Sequence, residues 1–402
     1  MDKNNKKILR IITRMNVGGP SIHVTLLSRI LEPEYETKLV YGVVEASEKD
    51  MEYLFSGHGF EYNRIQVKSL KRSINPISDF KSVIKLITII IKFKPDIVHT
   101  HHGKAGMLGR IAAFLSRVPV IIHTYHGHIF EGHFSSIKSK VFLSVERFLS
   151  KISTAIIAIS KQNFEDFTTR FQICKPEKCH LIPLGFDFEP FLNTNVLKAK
   201  QDFCDTYNLK DGEIAIAIVG RLTYVKRIEL FIETIKYFQK EPDLINKLKF
   251  FIVGSGSSKE ELVQYAKQLN VYNQIIWVEH VNKMNELFAG IDIVLLTSRS
   301  EGTPVSLIEA AVMECCIIST DVGGIKDFIT HKVSGLLLKA DPNEFYTSLK
   351  NVIAQPELRI KYGRIAKENV LKKYDKNRLR SDILELYEKL TLKKRVSASV
   401  IL

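Results

Sequence analysis

The chain has 402 residues, of which 45% are apolar and 25% are charged, and this composition excludes disordered, collagen-like and mucin-like proteins. Basic residues exceed acidic ones by 58 to 44. The excess is concentrated in residues 1–186, with 27 basic and 16 acidic residues, whereas residues 187–402 hold 31 and 28. Such a positive first half favours phosphate-bearing partners: an anionic membrane surface, a diphosphate substrate or nucleic acid.

Cysteine usage indicates a reducing compartment, and hydropathy argues against a membrane-spanning segment. The five cysteines lack CxxC spacing, which argues against a disulfide framework and a zinc ribbon. The most apolar stretch, residues 83–91, is interrupted by Lys85 and is too short to span a membrane, and no cleavable signal is evident at the start. We therefore expect a cytoplasmic protein that contacts membranes from one side only.

Short apolar runs alternate with longer amphipathic runs, a rhythm that predicts parallel β-sheets covered by helices on both faces. The predicted strands of the first half are residues 8–13, 37–43, 96–100, 118–124, 154–160 and 180–183. Those of the second half are residues 213–219, 249–253, 274–278, 291–296 and 317–320. The expected fold class is α/β, with two similar parallel-sheet domains that face each other across a cleft.

The strand pattern lapses where polar residues accumulate, and we place an interdomain linker at residues 187–212. A first domain of residues 1–186 and a second domain of residues 213–374 flank it. Residues 375–402 are expected to form a C-terminal helix and tail. In open parallel sheets ligands bind beyond the carboxyl ends of the strands, so functional residues are expected directly after each predicted strand.

Glycines and histidines follow the strands of the first half. Gly18 and Gly19 come after the first strand, where adjacent glycines let a backbone approach a ligand. The imidazoles after two neighbouring strands should converge, with His126 as the strongest functional candidate. These histidines have HxH and HxxH spacing, but no carboxylate cluster lies near them in the sequence. We therefore favour hydrogen bonding by the imidazoles to a hydroxylated, phosphorylated substrate over a metal site. Seven of the twelve histidines lie in this window: His99, His101, His102, His123, His126, His128 and His133.

Cations and glycines follow the first two strands of the second half. Arg221 and Lys226 lie in the loop after one strand, where two cations suit a diphosphate. Gly254 and Gly256 follow the next strand, but GxGxxG is incomplete because Lys259 occupies the third glycine position. We expect Gly254 to let its loop pass close to a ligand.

The strongest local signal is the segment IDIVLLTSRSEGTPVSLIEAA. A buried strand leads to Pro304, near the first turn of a helix whose free N–H groups form an anion site. Glu301 and Glu309 flank that turn, and carboxylates are good acceptors for sugar hydroxyls. Together these parts predict a pocket for a sugar joined to a diphosphate.

Nine motifs, in order and spacing, resemble glycosyltransferase family 4, the retaining nucleotide-sugar transferases of GT-B fold. Glu301 and Glu309 reproduce the E-x7-E spacing of that family. The resemblance covers nearly the whole chain and implies an acceptor-binding first domain and a donor-binding second domain, both Rossmann-like. The motifs are NVGGPSIHV, DIVHTHHGKAGMLGRIAA, IIHTYHGHIFEGHF, IIAISKQ, LIPLGFD, VGRLTYVKR, VGSGS, EGTPVSLIEA and STDVGG.

The resemblance implies roles for the matching residues of the second domain. Arg221 and Lys226 correspond to the clamp on the donor diphosphate, and Glu309 to the carboxylate on the nucleotide ribose. His280 and Val281 match the segment whose backbone reads the base. Contacts to the donor sugar and phosphates are implied for Glu301, Gly302, Thr303, Pro304 and Val305.

In the first domain, His126 corresponds to the cleft histidine beside the reacting sugar, and Gly18 and Gly19 to the loop that closes against the donor. We expect the acceptor to contact His101, His102 and Lys104. The catalytic set is therefore His126, Glu301, Arg221 and Lys226.

The resemblance also implies catalysis without a divalent metal or other cofactor, a uridine-diphosphate or similar donor, and a C-terminal helix that crosses back onto the first domain. In the front-face mechanism proposed for such enzymes, the leaving diphosphate assists deprotonation of the acceptor. The sequence departs from the family at two places. Arg227 stands where Gly or Asn is frequent, and Glu314-Cys315-Cys316 stands where Gly-x-Pro is common.

The leading hypothesis is transfer of a hexose or N-acetylhexosamine to a lipid-linked or saccharide acceptor in the synthesis of capsule, O-antigen or exopolysaccharide, at the inner face of the plasma membrane. Three alternatives remain at this point. A nucleotide-sugar epimerase can share the fold, and an inactive sugar-binding relative would keep it. A basic nucleic-acid-binding protein would use the same charge, although no recognised nucleic-acid motif appears.

Overall fold

The computed structural model describes residues 6–16, 18–45, 48, 50–55, 63–101, 103–126 and 136–399, and all side chains among them except those of residues 136–139 and 394–399. Contacts divide the chain into two units. Unit 1 comprises Met1–Phe186 together with Tyr374–Leu402, and unit 2 comprises Asp187–Lys373.

The described strands of unit 1 are β1 (Lys6–Ile12), β2 (Tyr35–Tyr41), β3 (Arg64–Gln66), β4 (Ile97–His101), β5 (Val120–Tyr125), β6 (Ala155–Ala158) and β7 (Cys179–Leu181). They form one parallel sheet in the order β3-β2-β1-β4-β5-β6-β7. The order reverses between β1 and β4, which is where sheets of this kind bind ligands. His101 ends β4 at this point, and His126 follows β5.

The described α-helices of unit 1 are α1 (Gly19–Ile30), α2 (Pro76–Phe93), α3 (Gly103–Leu115), α4 (Ser136–Ile152), α5 (Lys161–Glu165) and α15 (Lys376–Ser399). α3 packs against α2 and α4, while α1 packs against α15. The helices therefore form two separate groups, as expected for a parallel sheet with both faces covered.

Unit 2 repeats this plan. Its described strands are β8 (Ile214–Val219), β9 (Leu248–Val253), β10 (Ile275–Val278), β11 (Ile293–Leu296), β12 (Cys316–Thr320) and β13 (Leu336–Leu338). They are parallel in the order β10-β9-β8-β11-β12-β13, which matches the first six positions of the unit 1 sheet. The order reverses between β8 and β11, so the loops after these two strands lie at the expected ligand position. The prediction of two parallel-sheet α/β domains is confirmed.

The described α-helices of unit 2 are α6 (Glu189–Leu192), α7 (Val196–Tyr207), α8 (Ile228–Phe238), α9 (Pro242–Ile245), α10 (Lys259–Gln268), α11 (Met284–Gly290), α12 (Val305–Val312), α13 (Pro342–Ala354) and α14 (Pro356–Tyr374). Two of them, α6 and α7, lie in residues 187–212, the segment predicted as a linker. α7 packs on α11, and the ring of Phe203 lies against Gly290 and 5.2 Å from the ring of Phe251. Only Ala199 and Phe203 of α7 are buried, one helical turn apart. Two apolar positions in a polar segment are too few to indicate a helix from the sequence.

The C-terminal helix α15 completes the core of unit 1. Its apolar stripe packs with strand residues such as Ile8, Ile97 and Ile122. Burying each large apolar side chain contributes roughly 1.5–3 kcal/mol, so this helix is an integral part of the unit. The buried residues of the stripe are Leu379, Ile383, Leu386, Tyr387 and Leu390. No helix in the described part of the chain combines the length and apolarity needed to cross a membrane.

A buried ion pair joins α3 to α4. Arg110 is fully buried, and its Nη2 lies 2.6 Å from Oε2 of Glu146, which also accepts a hydrogen bond from the hydroxyl of Tyr125. Desolvating two charges is costly, and removing one partner leaves the other uncompensated. The pair therefore fixes how α3 and α4 pack on the sheet.

We predict that Glu146→Leu lowers the free energy of unfolding by about 3–5 kcal/mol, because Arg110 is left buried without its counter-ion. Replacing both residues, as in Arg110→Met with Glu146→Leu, should recover much of that loss. Urea unfolding would measure both effects, with Glu165→Leu on the exposed face of α5 as the matched control. A loss no larger than that of the control would contradict the prediction.

Candidate active site

The loop after β8 carries the two cations predicted to hold a diphosphate. Arg221 is exposed and forms no hydrogen bond or ion pair with any described residue. Lys226 ends a short 3-10 turn, Tyr224–Lys226, and its side chain is 21% exposed. Arg227 then adopts a left-handed conformation, φ 48°, before α8 begins. That conformation explains why Gly or Asn suits this position in the family that the sequence resembles.

Lys226 pairs with Glu301, which follows β11. The Lys226 Nζ lies 2.6 Å from Oε1 of Glu301, and the hydroxyl of Ser298 donates to the same oxygen at 2.6 Å. No described residue donates to the second carboxylate oxygen, Oε2. The pair fixes the ammonium group and leaves one carboxylate oxygen available to accept a hydroxyl donor.

Backbone contacts tie the loops after β8 and β11 together. The hydroxyl of Thr297 lies 2.9 and 2.8 Å from the carbonyl oxygens of Lys226 and Arg227, and the N–H of Arg299 donates to the carbonyl of Val225 at 2.8 Å. Thr320, at the end of β12, donates to the carbonyl of Ser298 at 2.8 Å. Three neighbouring strand ends therefore hold one loop arrangement, which preorganises the ion pair.

The turn from Glu301 into α12 contains a hydrogen-bonding group without a partner. Pro304 stands directly before Val305, the first residue of α12, so the first N–H groups of that helix have no intrahelical acceptor. The hydroxyl of Thr303 is buried and also lacks a partner among the described residues. Free N–H groups and a hydroxyl at a helix N-terminus suit a phosphate or sugar oxygen. Gly302 contributes its carbonyl to the N–H of Gly324 at 2.9 Å.

Two glycines allow the backbone to pass close to neighbouring loops. At Gly254, φ is 137° and a side chain would overlap the carbonyl oxygen of Gly220. At Gly323, φ is 61° and a side chain would overlap the carbonyl oxygen of Glu301. Both positions require glycine. Gly323 belongs to the motif STDVGG, but no single signal in the sequence marks it as a neighbour of Glu301.

The segment after β10 lies beside Gly254. The Gly254 N–H donates to the carbonyl of Val278 at 2.8 Å. His280 is exposed, and its Nδ1 lies 2.6 Å from the carbonyl oxygen of Glu279, while Val281 is partly buried. The geometry thus brings Gly254 and the segment of residues 278–281 together.

Glu309 lies one turn inside α12 and is partly buried, and its carboxylate has no hydrogen-bond or ion-pair partner among the described residues. Because burial disfavours the charged form, the pKa of Glu309 rises to about 7. A ligand hydroxyl that donates to this carboxylate would favour its ionised form. The ribose contact predicted for Glu309 stays a prediction.

In unit 1 the candidate histidines form a cluster. The Nδ1 of His101 lies 3.1 Å from Nε2 of His126, and the rings of His99 and His101 lie 4.3 Å apart. His23 of α1 packs its ring against His126 at 5.3 Å. His126 is partly exposed, whereas the other three are buried. His101 is buried and contacts His126, and the acceptor contact predicted for it stays a prediction.

One predicted member of the cluster lies elsewhere. His123 points to the opposite face of the sheet, where its ring packs beside Gly106 of α3 and its Nδ1 lies 2.8 Å from the hydroxyl of Thr100. Side chains alternate along a strand, so His123 and Thr124 must face opposite ways. The prediction that all these imidazoles converge is therefore wrong for His123. Three further predicted members, His102, His128 and His133, lie outside the described residues.

Lys104 is held by neighbouring residues of unit 1, and Gly18 and Gly19 lie at the start of α1, so the predicted closure of their loop against the donor stays a prediction. The Lys104 Nζ lies 2.5 Å from Oδ1 of Asp79 and also donates to the carbonyl of Ser73, and the lysine side chain is 9% exposed. A role for Lys104 in acceptor binding stays a prediction. Gly18 precedes α1, which begins at Gly19.

Sequence reasoning missed two neighbours of the predicted site residues. His23 lies inside the motif NVGGPSIHV, on the buried face of α1. Ser298 lies three residues before Glu301, and its hydroxyl donates to the Glu301 carboxylate. Their residue types alone gave no signal. Within the described ranges, no three His, Cys, Asp or Glu side chains are grouped to hold a metal ion.

Each of the two units matches a known protein family. Residues 17–190 match the family described as Glycosyltransferase Family 4, and residues 200–369 match the family described as Glycosyl transferases group 1. The two matches lie in order along the chain and cover most of it. They include the loops that carry His126 in unit 1 and Lys226, Glu301 and Glu309 in unit 2.

Individual relatives agree with these families. An Escherichia coli UDP-Gal:alpha-D-GlcNAc-diphosphoundecaprenol alpha-1,3-galactosyltransferase is 31% identical over 299 residues, 73% of this chain and 76% of its own. The capsular polysaccharide biosynthesis glycosyltransferase CapM of Staphylococcus aureus is 26% identical over 325 residues, 79% of this chain and 83% of its own.

A solved structure agrees with the fold. The crystal structure of Anabaena HepE in complex with UDP and glucose superposes with a TM-score of 0.80 at 17% identity, and covers 95% of this chain and 99% of that one. At this identity the likeness concerns the fold. Together with the family matches and the relative above 30% identity, it identifies the chain as a glycosyltransferase of GT-B fold that belongs to glycosyltransferase family 4.

Proposed function

We propose that the protein is a retaining enzyme that transfers a hexose or N-acetylhexosamine from a UDP-linked donor to a lipid-linked or saccharide acceptor, in the cytoplasm at the inner face of the plasma membrane. The product would enter capsule, O-antigen or exopolysaccharide synthesis. The observation that carries the donor side is the Lys226–Glu301 pair beside the N-terminus of α12. The names of the Escherichia coli and Staphylococcus aureus relatives support the acceptor side.

In this proposal the donor diphosphate binds between the cations of one loop and the N–H groups of the next. Lys226 is held in place by Glu301, and Arg221 is exposed and available. The unpartnered hydroxyl of Thr303 and the first N–H groups of α12, from Val305, would contact phosphate or sugar oxygens. Charge-assisted hydrogen bonds to phosphate contribute about 1.5–3 kcal/mol each and strengthen as the leaving group gains charge.

The nucleoside would bind beside these phosphate contacts. Glu309 would accept hydrogen bonds from the ribose hydroxyls, and the backbone of His280 and Val281 would contact the base. Gly254 supports this arrangement because its N–H holds the neighbouring carbonyl of Val278 in place. The free oxygen Oε2 of Glu301 would accept a hydrogen bond from a donor-sugar hydroxyl.

In this proposal the reaction needs no protein nucleophile. The protein positions the donor and acceptor and stabilises the charge of the leaving group. The leaving diphosphate would take the acceptor proton on the same face of the sugar, while Lys226 and Arg221 stabilise its developing charge. His126 would contribute a hydrogen bond to the reacting sugar from unit 1. No residue in this scheme needs a divalent metal or another cofactor.

We predict that Lys226→Ala weakens the binding of a UDP-sugar by about 10–100-fold, because it removes one charge-assisted contact to phosphate. Glu309→Ala should weaken it as well. Calorimetric titration across a panel of nucleotide sugars would measure both effects and identify the sugar and base. Lys247→Ala, an exposed lysine that precedes β9 at the opposite edge of the sheet, is the matched control.

The same titrations test the remaining parts of the proposal. Binding that survives a chelator supports a metal-independent donor site, and loss of binding with the chelator contradicts it. Failure to bind any donor, or equal binding by Lys226→Ala and wild type, would refute the site. Donor consumed without acceptor and without release of free nucleotide would favour the epimerase alternative.

We predict that donor affinity rises with pH through about 7, because the ionised form of Glu309 is the better acceptor for ribose hydroxyls. With its pKa raised to about 7, Glu309 is mostly protonated at pH 6 and mostly ionised at pH 8. Binding of a UDP-sugar, which itself has no group titrating in this range, should tighten by up to about tenfold between these values. The Glu309→Gln variant should show no such rise, and an equal rise in both proteins would contradict the role.

A face of unit 1 supports the membrane part of the proposal. On α2 the side chains of Ile77, Phe80, Ile84 and Ile91 are exposed, and positions 77, 84 and 91 fall on one stripe of the helix. The exposed apolar side chains Phe114, Leu115, Val141 and Phe148 extend this surface onto α3 and α4. We call the outer surface of these three helices the α2–α4 face.

The charge of the α2–α4 face is entirely positive at its exposed positions. The three helices contain two acidic residues, and both are buried in ion pairs, Asp79 with Lys104 and Glu146 with Arg110. Apolar side chains among cations suit the interface of an anionic bilayer. The exposed cations on or beside the helices are Lys81, Lys85, Lys92, Lys94, Lys140, Arg147 and Lys151.

We predict that changing Lys81, Lys85, Lys92 and Lys94 to Gln reduces binding to vesicles that contain phosphatidylglycerol. Each lysine near an anionic surface contributes about 1 kcal/mol, and the effect should shrink as salt rises. Co-sedimentation would measure it. Replacing four exposed lysines of unit 2, Lys236, Lys247, Lys339 and Lys361, is the matched control. Unchanged sedimentation of the α2 variant would count against membrane binding by this face.

A further inference from the structure

The proton positions around His99 follow from its partners. Arg10, on the neighbouring strand β1, places Nη1 3.1 Å from Nδ1 of His99, and the hydroxyl of Tyr387 on α15 lies 2.6 Å from the same nitrogen. A guanidinium can only donate, so Nδ1 must be the acceptor and Nε2 must carry the proton. The Nε2 of His99 lies 2.7 Å from the hydroxyl oxygen of Thr124, to which its N–H donates a hydrogen bond.

Arg10 is a buried cation without an acidic partner in the described part of the chain. Its side chain is fully buried and contacts His99, Tyr387 and the carbonyl of Leu27. Burial, with the Arg10 charge as a further cause, lowers the pKa of His23 to about 3 and holds the pKa of His99 and His101 well below the usual range. Arg378 of α15 adds to this effect at His23. The three buried imidazoles are therefore neutral.

The contact between His101 and His126 contains one proton, and the surroundings of His101 indicate which ring supplies it. The Nε2 of His101 is buried and has no hydrogen-bond partner in the described part of the chain. A buried N–H without an acceptor is rarer in proteins than a buried acceptor without a donor. In neutral His101 the proton therefore belongs on Nδ1, from which it is donated to Nε2 of His126.

We propose that His101 is a positioning residue that holds His126 as the neutral tautomer with its proton on Nδ1, and that Arg10, His99 and Tyr387 support His101 in this role. An imidazole whose Nε2 accepts a hydrogen bond cannot be doubly protonated. His126 would then offer the reacting sugar a neutral N–H donor. The inference rests on the proposed role of His126, but its first test needs no substrate.

The wild-type protein tests the tautomer directly. In the full chain labelled with 15N-histidine, the His126 signals, identified by their loss in His126→Gln, should show a protonated Nδ1 and an unprotonated Nε2 at pH 7. A His126 that carries its proton on Nε2, or both nitrogens protonated at pH 7, would overturn the proposal whatever the activity of the enzyme.

Two variants separate positioning from packing. His101→Leu removes the donor, and His101→Asn keeps an amide N–H near the position of Nδ1. We expect His101→Leu to give a mixture of His126 tautomers and to lower kcat roughly 10–100-fold, with the KM for donor unchanged. His101→Asn should restore the tautomer and part of kcat. His123→Asn, a buried histidine on the opposite face of the same sheet, is the control.

The outcomes remain decisive if a variant is unstable. Equal losses in His101→Leu and His101→Asn that follow thermal stability, with the His126 tautomer unchanged, would reduce His101 to a packing residue and overturn the proposal. If His101→Leu does not fold, the wild-type tautomer and the His101→Asn spectrum still decide. An inactive enzyme with the expected tautomer would refute the proposed function and leave the positioning intact.

Discussion

Every described strand runs parallel to its neighbours in both sheets, so the loops that follow the strands lie at one edge of each sheet. In unit 2 this constraint brings Lys226, after β8, to Glu301, after β11. In unit 1 it brings His101, at the end of β4, to His126, after β5. Residues far apart in the chain become neighbours without any long irregular segment, because adjacent parallel strands end side by side.

Charge is handled differently in the two units. In unit 2 a cation and a carboxylate, Lys226 and Glu301, neutralise each other, and burial makes a further carboxyl, Glu309, titrate near neutral pH. In unit 1 the buried Arg10 has no carboxylate partner among the described residues, and its field reinforces the burial that keeps nearby imidazoles uncharged. Unit 2 thus holds a paired cation and a carboxyl group that titrates near neutral pH, whereas the buried imidazoles of unit 1 stay uncharged.

The sequence predicted most strands of both sheets, since continuous apolar runs identify buried parallel strands, whereas the roles given to the candidate residues stay predictions. It missed β3 and β13, which have three residues each. The prediction grouped His123 with the other histidines because it considered residue type alone. Side chains alternate along a strand, and this places His123 on the opposite face of the sheet. The sequence could not predict the Lys226–Glu301 contact, because 75 residues separate the two partners and only the strand order makes them adjacent. The two departures from the family, Arg227 and Glu314, both adopt left-handed backbone conformations, which explains why glycine is used there elsewhere.

The path of the chain limits how this protein can be divided and recombined. Residues of α15 such as Leu379, Ile383 and Tyr387 fill the core of unit 1, although they follow the whole of unit 2 in the sequence. A fragment that stops at Phe186 would expose that core to water. A chimaera that borrows unit 1 from a relative must therefore take two separate stretches of sequence from the same parent. Unit 2 can be exchanged as one continuous insert between Phe186 and Tyr374.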